Sequence, residues 1–100
     1  MKTITICGSM KYEKEMPIIA FKLETKHGYN VLQCVYNLEK EELTFLDMEA
    51  LREAHYKKID ISDAIYVVDI DGYIGNSTRE EIRYAKENGK EIIMHSSYDL

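Results

Sequence analysis

The sequence predicts an α/β fold, a Rossmann-like or flavodoxin-like three-layer sandwich around a four-stranded parallel sheet in the order 2-1-3-4. Three observations predict it. Short segments rich in β-branched residues and tyrosine alternate with longer segments of helical period, the signal of βαβ units. The run Ala64-Ile65-Tyr66-Val67-Val68 is continuously apolar, as a strand covered on both faces must be. The connections are short, and right-handed crossovers leave few ways to lay such strands side by side.

Thr3 to Cys7 reads as the first strand. Gly8 and Ser9 then turn the chain into a helix on which Met16, Ile19, Ala20 and Leu23 recur at i, i+3, i+4 and i+7, and which stops at His27-Gly28. Pro17 belongs near the first turn of that helix, leaving Met10 to Lys14 as loop or distorted helix. Tyr29 to Tyr36, carrying Val31, Leu32, Cys34 and Val35, reads as the second strand, and the acidic connection through Glu39, Glu41 and Glu42 as a solvated face. From about Asp47 to Asp60, Met48, Leu51, His55 and Ile59 fall on one side of a helix, which turns His55 toward the sheet. Ala64 to Asp69 is the third strand, Ile70 to Asn76 a loop, and Thr78 to Asn88 the last helix, with Ile82 and Ala85 inward and Gly89 as its stop. Lys90 to His95 is the fourth strand.

A chain of 100 residues, 45% hydrophobic and 31% charged with a single proline, is expected to form one domain over residues 1–100. Thirteen basic against eighteen acidic residues give a formal charge of -5 without a basic block, which argues against nucleic acid or an anionic membrane as partner. A small anionic ligand in one local pocket remains compatible with that balance. The longest apolar run is far too short to span a bilayer, and Met1-Lys2-Thr3 leads straight into a strand, so a cytoplasmic protein is expected. Cys7 and Cys34 form no CxxC pair and have no histidine at metal-ligand spacing, and both are expected to be buried free thiols. No metal and no cofactor are expected.

In a sheet of this order ligands bind beyond the carboxyl ends of the strands, where strand order reverses. The segments that matter are therefore Gly8 to Lys14 and Asp69 to Glu81. GxGxxG, GxxxxGK[ST] and GxSxG are absent, and no acidic pair follows the first strand to make a phosphoacceptor with Asp69. What remains is Gly72-Tyr73-Ile74-Gly75-Asn76-Ser77-Thr78-Arg79-Glu80-Glu81, a glycine-containing loop opening a helix. Gly72 and Gly75 permit close backbone approach to a ligand, and Ser77 with the first-turn amides can hold phosphate or sugar oxygens. Ser77 with Glu80, or Thr78 with Glu81, would also make a capping box; only one register can be the cap, and the other carboxylate is left for another task.

The segments Ile4-Thr5-Ile6-Cys7-Gly8-Ser9-Met10, Ile59 to Val68 and GYIGNSTREEIRYAKENGK, in this order, resemble the nucleoside 2-deoxyribosyltransferase superfamily, above all its short members and the 2'-deoxynucleoside 5'-phosphate N-hydrolases. The resemblance implies a nucleophilic glutamate at Glu81, matched through Ile82, Ala85 and Lys90. It also implies that Ser77 binds sugar hydroxyl or phosphate, at a spacing from Glu81 that is not the family's usual one, and that Gly8, Ser9 and Met10 line base and sugar. Where well-studied members place an aspartate that handles the leaving base, this chain has His55, and an imidazole is a competent general acid near neutral pH. Tyr73 either stacks on the base or covers the pocket, or packs on the sheet edge. Asp60 and Asp63 fit solvated or capping roles.

The expected function is cleavage or transfer of the N-glycosidic bond of a (deoxy)nucleoside or its 5'-monophosphate through a glycosyl-Glu81 intermediate. The alternative is a non-catalytic nucleotide-binding or nucleotide-sequestering protein on the same scaffold. Cleavage of NAD by a related mechanism is weaker, because a chain this short offers little wall for so large a ligand. The resemblance also implies a homodimer or higher assembly that completes a half-open pocket, with the tail His95 to Leu100 able to reach across.

Overall fold

A computed structural model describes residues 1–100. Its sheet is parallel throughout, in the order β2-β1-β3-β4, with β1 at Thr3–Gly8, β2 at Asn30–Leu32, β3 at Ala64–Val68 and β4 at Glu91–Met94. Helices α1 (Glu15–His27), α2 (Phe45–Asp60) and α3 (Asn76–Glu87) connect them, and short 3-10 turns at Met10–Tyr12, Ile70–Gly72 and His95–Ser97 follow three of the strands.

The pleat divides each central strand between two cores. Ile4 and Ile6 of β1, with Ala64, Tyr66 and Val68 of β3, face α1 and meet Met16, Ile19, Ala20 and Leu23. On the other face Cys7, Ile65 and Val67 meet Ile59 of α2 and Ala85 of α3. The predicted stripe of α1 is thus its buried face, and the helix ends where Gly28 adopts a left-handed φ of 69° and closes the last turn on Leu23.

β2 is shorter than the expected span from Tyr29 to Tyr36. It pairs with β1 only from Thr3↔Asn30 to Thr5↔Leu32, and the chain then leaves the sheet. The upper part of β1 therefore lacks a neighbour on that side. Apolar Cys34 and Val35, read as strand, instead help wall the opening so formed.

α2 begins at Phe45, ahead of the expected start, because Thr44 caps it: the Asp47 amide donates to Thr44 Oγ1 at 3.1 Å and the Thr44 amide to Asp47 Oδ2 at 2.9 Å. His55 and Ile59 are buried on its inner face as predicted, whereas Met48 and Leu51, expected against the sheet, are 50% and 38% exposed and overhang the opening.

The expected capping box of α3 is absent in both registers. Gly75 is the N-cap and supplies no side chain, so Ser77 and Thr78 fall inside the first turn and Glu80 and Glu81 in the second. The tail does not extend outward. The Ser96 amide and hydroxyl donate to the Asp69 carboxylate at 2.8 and 2.5 Å, and Tyr98 and Leu100 pack back against the α1 core. No helix is long and apolar enough to cross a membrane.

Candidate functional site

A cleft of about 590 Å³ opens at the carboxyl end of β1, where β2 has departed and α2 and α3 converge. Its walls include Gly8, Ser9, Met10, His55, Gly75, Ser77 and Glu81, all singled out from the sequence. Tyr73 is not among them. It is 44% exposed, lies edge-on to Tyr12 with ring centroids 6.2 Å apart, and has Lys11 Nζ 4.4 Å from its own centroid. It stands at the rim, where a Cβ on Gly75 would come within 3.7 Å of its hydroxyl.

Each wall has a local cause. A Cβ at Gly8 would meet Met16 Sδ at 3.0 Å and Val68 Cβ at 3.1 Å, so the end of β1 packs closely only as glycine. Ser9 then caps the following 3-10 turn by accepting from the Lys11 amide at 3.1 Å, which presents Met10 to the cleft. Tyr12 anchors that turn to the segment after β3 by donating to the Ile70 carbonyl at 2.8 Å. Gly75 makes only ordinary contacts and is not demanded by packing; as a cap without a side chain it leaves the first amides of α3 free of any side-chain acceptor.

Glu81 is the unusual member. Thr78 is 2% exposed and Ala85 0%, and Glu81 stands between them at i+3 of the same inward stripe. A helix thus spends one position of its apolar face on a carboxylate, whose side chain is only 14% exposed. Across from it, His55 Nε2 lies 3.5 Å from Glu81 Oε1 and 3.5 Å from Cys7 Sγ. The other ring nitrogen, Nδ1, is buried without a partner. Burial, and then the charge of Glu81, push the Cys7 thiol well above the ordinary range, so the free side chain is a neutral thiol. Cys7, His55 and Glu81 come from β1, α2 and α3, and their ligating atoms all lie within 4.8 Å of one another.

No family model, curated protein or solved structure matches the chain. The arrangement must therefore be read from its own chemistry. It offers a desolvated carboxylate held by an imidazole at the floor of a cleft, with uncapped helix amides and small side chains above it. Such a carboxylate can attack an electrophilic carbon and stabilise positive charge developing there.

Sequence reasoning missed several residues. Cys7 reads as an inert core thiol, and its contact with His55 joins residues 48 apart, which no spacing motif reports. Cys34, expected to be buried, is half-buried on the cleft wall. Arg52 and Tyr56 of α2, with the guanidinium 5.0 Å from the ring centroid, line the cleft and each follow by one residue a member of the predicted apolar stripe, Leu51 and His55. Lys90, part of the resemblance, donates to the Asp60 carbonyl at 2.8 Å and joins α2 to β4 instead of reaching the cleft. Asp60 and Asp63, expected in solvated or capping roles, instead tie elements together, Asp60 accepting from Tyr84 Oη at 2.5 Å and Asp63 from the Thr3 amide at 2.9 Å.

Proposed function

We propose that this protein cleaves or transfers the N-glycosidic bond of a (deoxy)nucleoside or its 5'-monophosphate, with Glu81 as nucleophile. The observation that carries the reading is the carboxylate on the buried stripe of α3, opening on the cleft and held by His55. The resemblance to nucleoside 2-deoxyribosyltransferases supports it in the order and spacing of three segments. In the reaction, a Glu81 oxygen forms a bond to C1' as the bond from C1' to the base nitrogen breaks, the bonding pair leaving with the base, which takes up a proton. Water, or a second base, then attacks C1', and the C1'–O bond to Glu81 breaks to regenerate the carboxylate. His55 is the candidate donor of the first proton and in the resting site orients Glu81. Ser9, Ser77 and the first amides of α3 suit sugar and phosphate oxygens, and Met10 the base.

A cytoplasmic setting suits the free thiols. A homodimer suits the exposed apolar side chains of Val35, on the cleft wall, and of Phe45 and Leu46, at the start of α2, which are 67%, 70% and 76% exposed.

One observation favours a binding protein without turnover instead: His55 Nε2 is turned to Cys7 and Glu81 and Nδ1 is buried, so neither ring nitrogen is freely presented to a leaving base. Chromatography of free base after incubation with each deoxynucleoside and deoxynucleoside monophosphate separates the two. Glycosidic cleavage predicts base release that falls about a thousandfold or more in Glu81→Ala. Ligand-induced thermal stabilisation with no base released across the panel would establish the sequestering protein.

A further inference from the structure

The Cys7, His55 and Glu81 side chains converge more loosely than a hydrogen-bonded triad does. The Nε2–Oε1 separation of 3.5 Å is well beyond the ~3.0 Å that nitrogen donors prefer for oxygen, while the 3.5 Å from Nε2 to Cys7 Sγ is an ordinary distance for sulfur. Both separations from Nε2 suit ligands around a shared atom, and the Cys7 and Glu81 ligating atoms, within 4.8 Å of each other, need to close to ~3.6 Å, which rotation of the long Glu81 side chain allows. With metal–ligand bonds of roughly 2.3 Å to sulfur and 2.0–2.2 Å to nitrogen and oxygen, tetrahedral angles put sulfur and nitrogen ~3.5 Å apart and nitrogen and oxygen ~3.4 Å apart.

We propose that Cys7, His55 and Glu81 bind one thiophilic divalent cation of the zinc type, with the fourth coordination position open to the cleft. One thiolate, one imidazole and one carboxylate form the donor set that Zn²⁺ prefers over Mg²⁺ or Ca²⁺. The ligands are preplaced. The pleat of β1 aims Cys7 at the α2 and α3 face, His55 shares the inner stripe of α2 with Ile59, and Glu81 shares that of α3 with Thr78 and Ala85.

A second observation is the unpartnered Nδ1 of His55, on a residue only 9% exposed. A neutral ring carries one proton and one lone pair, and with the proton on Nδ1 the Nε2 lone pair is turned to the space shared with Cys7 Sγ and Glu81 Oε1. Coordination through Nε2 fixes the proton on Nδ1 and brings charge balance to the buried Cys7 and Glu81. Because Nδ1 then has no carbonyl or carboxylate to hold it, the cation is exchangeable and a chelator removes it.

The assignment stands apart from the glycosidic reading and competes with it for Glu81: a bound cation withholds the nucleophile. Its test is therefore a binding measurement. Chelator-treated full-length protein, kept reduced, is titrated with Co²⁺ and then Zn²⁺. One equivalent of Co²⁺ is expected to give tetrahedral visible absorption and a thiolate-to-cobalt charge-transfer band, both abolished by Zn²⁺. The band is lost in Cys7→Ser and kept in Cys34→Ser, and Glu81→Gln weakens binding at least about tenfold. Circular dichroism establishes that each variant is folded before titration, and Glu81→Gln keeps nearly the same side-chain volume beside Cys7 and His55. Absence of the band in folded wild type overturns the site. So does its persistence in Cys7→Ser, or an unchanged affinity in Glu81→Gln.

Discussion

Glu81 occupies a position where an apolar side chain would serve the fold better, since a largely buried carboxylate loses hydration that one imidazole contact only partly replaces. Glu81→Leu is therefore expected to raise stability by about 1 kcal/mol, visible as a higher denaturation midpoint at unchanged m value, and under the proposed mechanism to end base release. Gly8 is constrained in the opposite sense. Adding one methyl there meets Met16 and Val68 at close range, so Gly8→Ala should destabilise by about 1–3 kcal/mol in urea unfolding. The signal for Glu81 was legible as a carboxylate within an i, i+3, i+4, i+7 stripe through Thr78, Ile82 and Ala85. The expected capping boxes hid it, because local capping chemistry and the inward stripe make the same demand on sequence and only the true helix start at Asn76 separates them.

At the level of elements, α2 carries its own start signal in Thr44 and Asp47, and Thr44→Ala should cost about 1 kcal/mol. The backbone amide of Thr44, and then its side chain, hold the Asp47 carboxyl below its ordinary pKa of 3.8. A carboxyl lowered on folding contributes stability above its unfolded value and loses it as pH falls through the folded one. The stability difference between wild type and Asp47→Asn should accordingly shrink on acidification below pH 3.8, read by unfolding at a series of pH values. β3 meets the tail through Tyr66 and His95, whose Oη and Nδ1 lie 2.5 Å apart. Burial pushes Tyr66 from 10.0 to about 12, so its contribution is present below pH 10.0 and is lost as pH rises through about 12. Tyr66→Phe should cost about 1–2 kcal/mol at neutral pH and flatten the alkaline limb of the stability profile. Edge strand β2 shows where element reading fails: periodicity through Val35 looks the same whether a residue pairs in a sheet or walls a cleft.

For the whole molecule, exposed Phe45 and Leu46 at the start of α2 predict self-association. Sedimentation should show a dimer that Leu46→Glu converts to monomer without loss of helical signal. The sequence by itself determined the strand order, the buried stripe of α1, the stop at Gly28 and most of the cleft wall, because these follow from local periodicity, glycine conformation and the rules of parallel sheets. Tertiary structure alone decided that β2 ends at Leu32, that Tyr73 stays at the rim, that the tail folds back onto Asp69, and that Cys7 meets His55 and Glu81. The physical reason is that such contacts join residues far apart in sequence. They depend on where one strand leaves the sheet and how far two helices overhang it, distances that no spacing along the chain encodes.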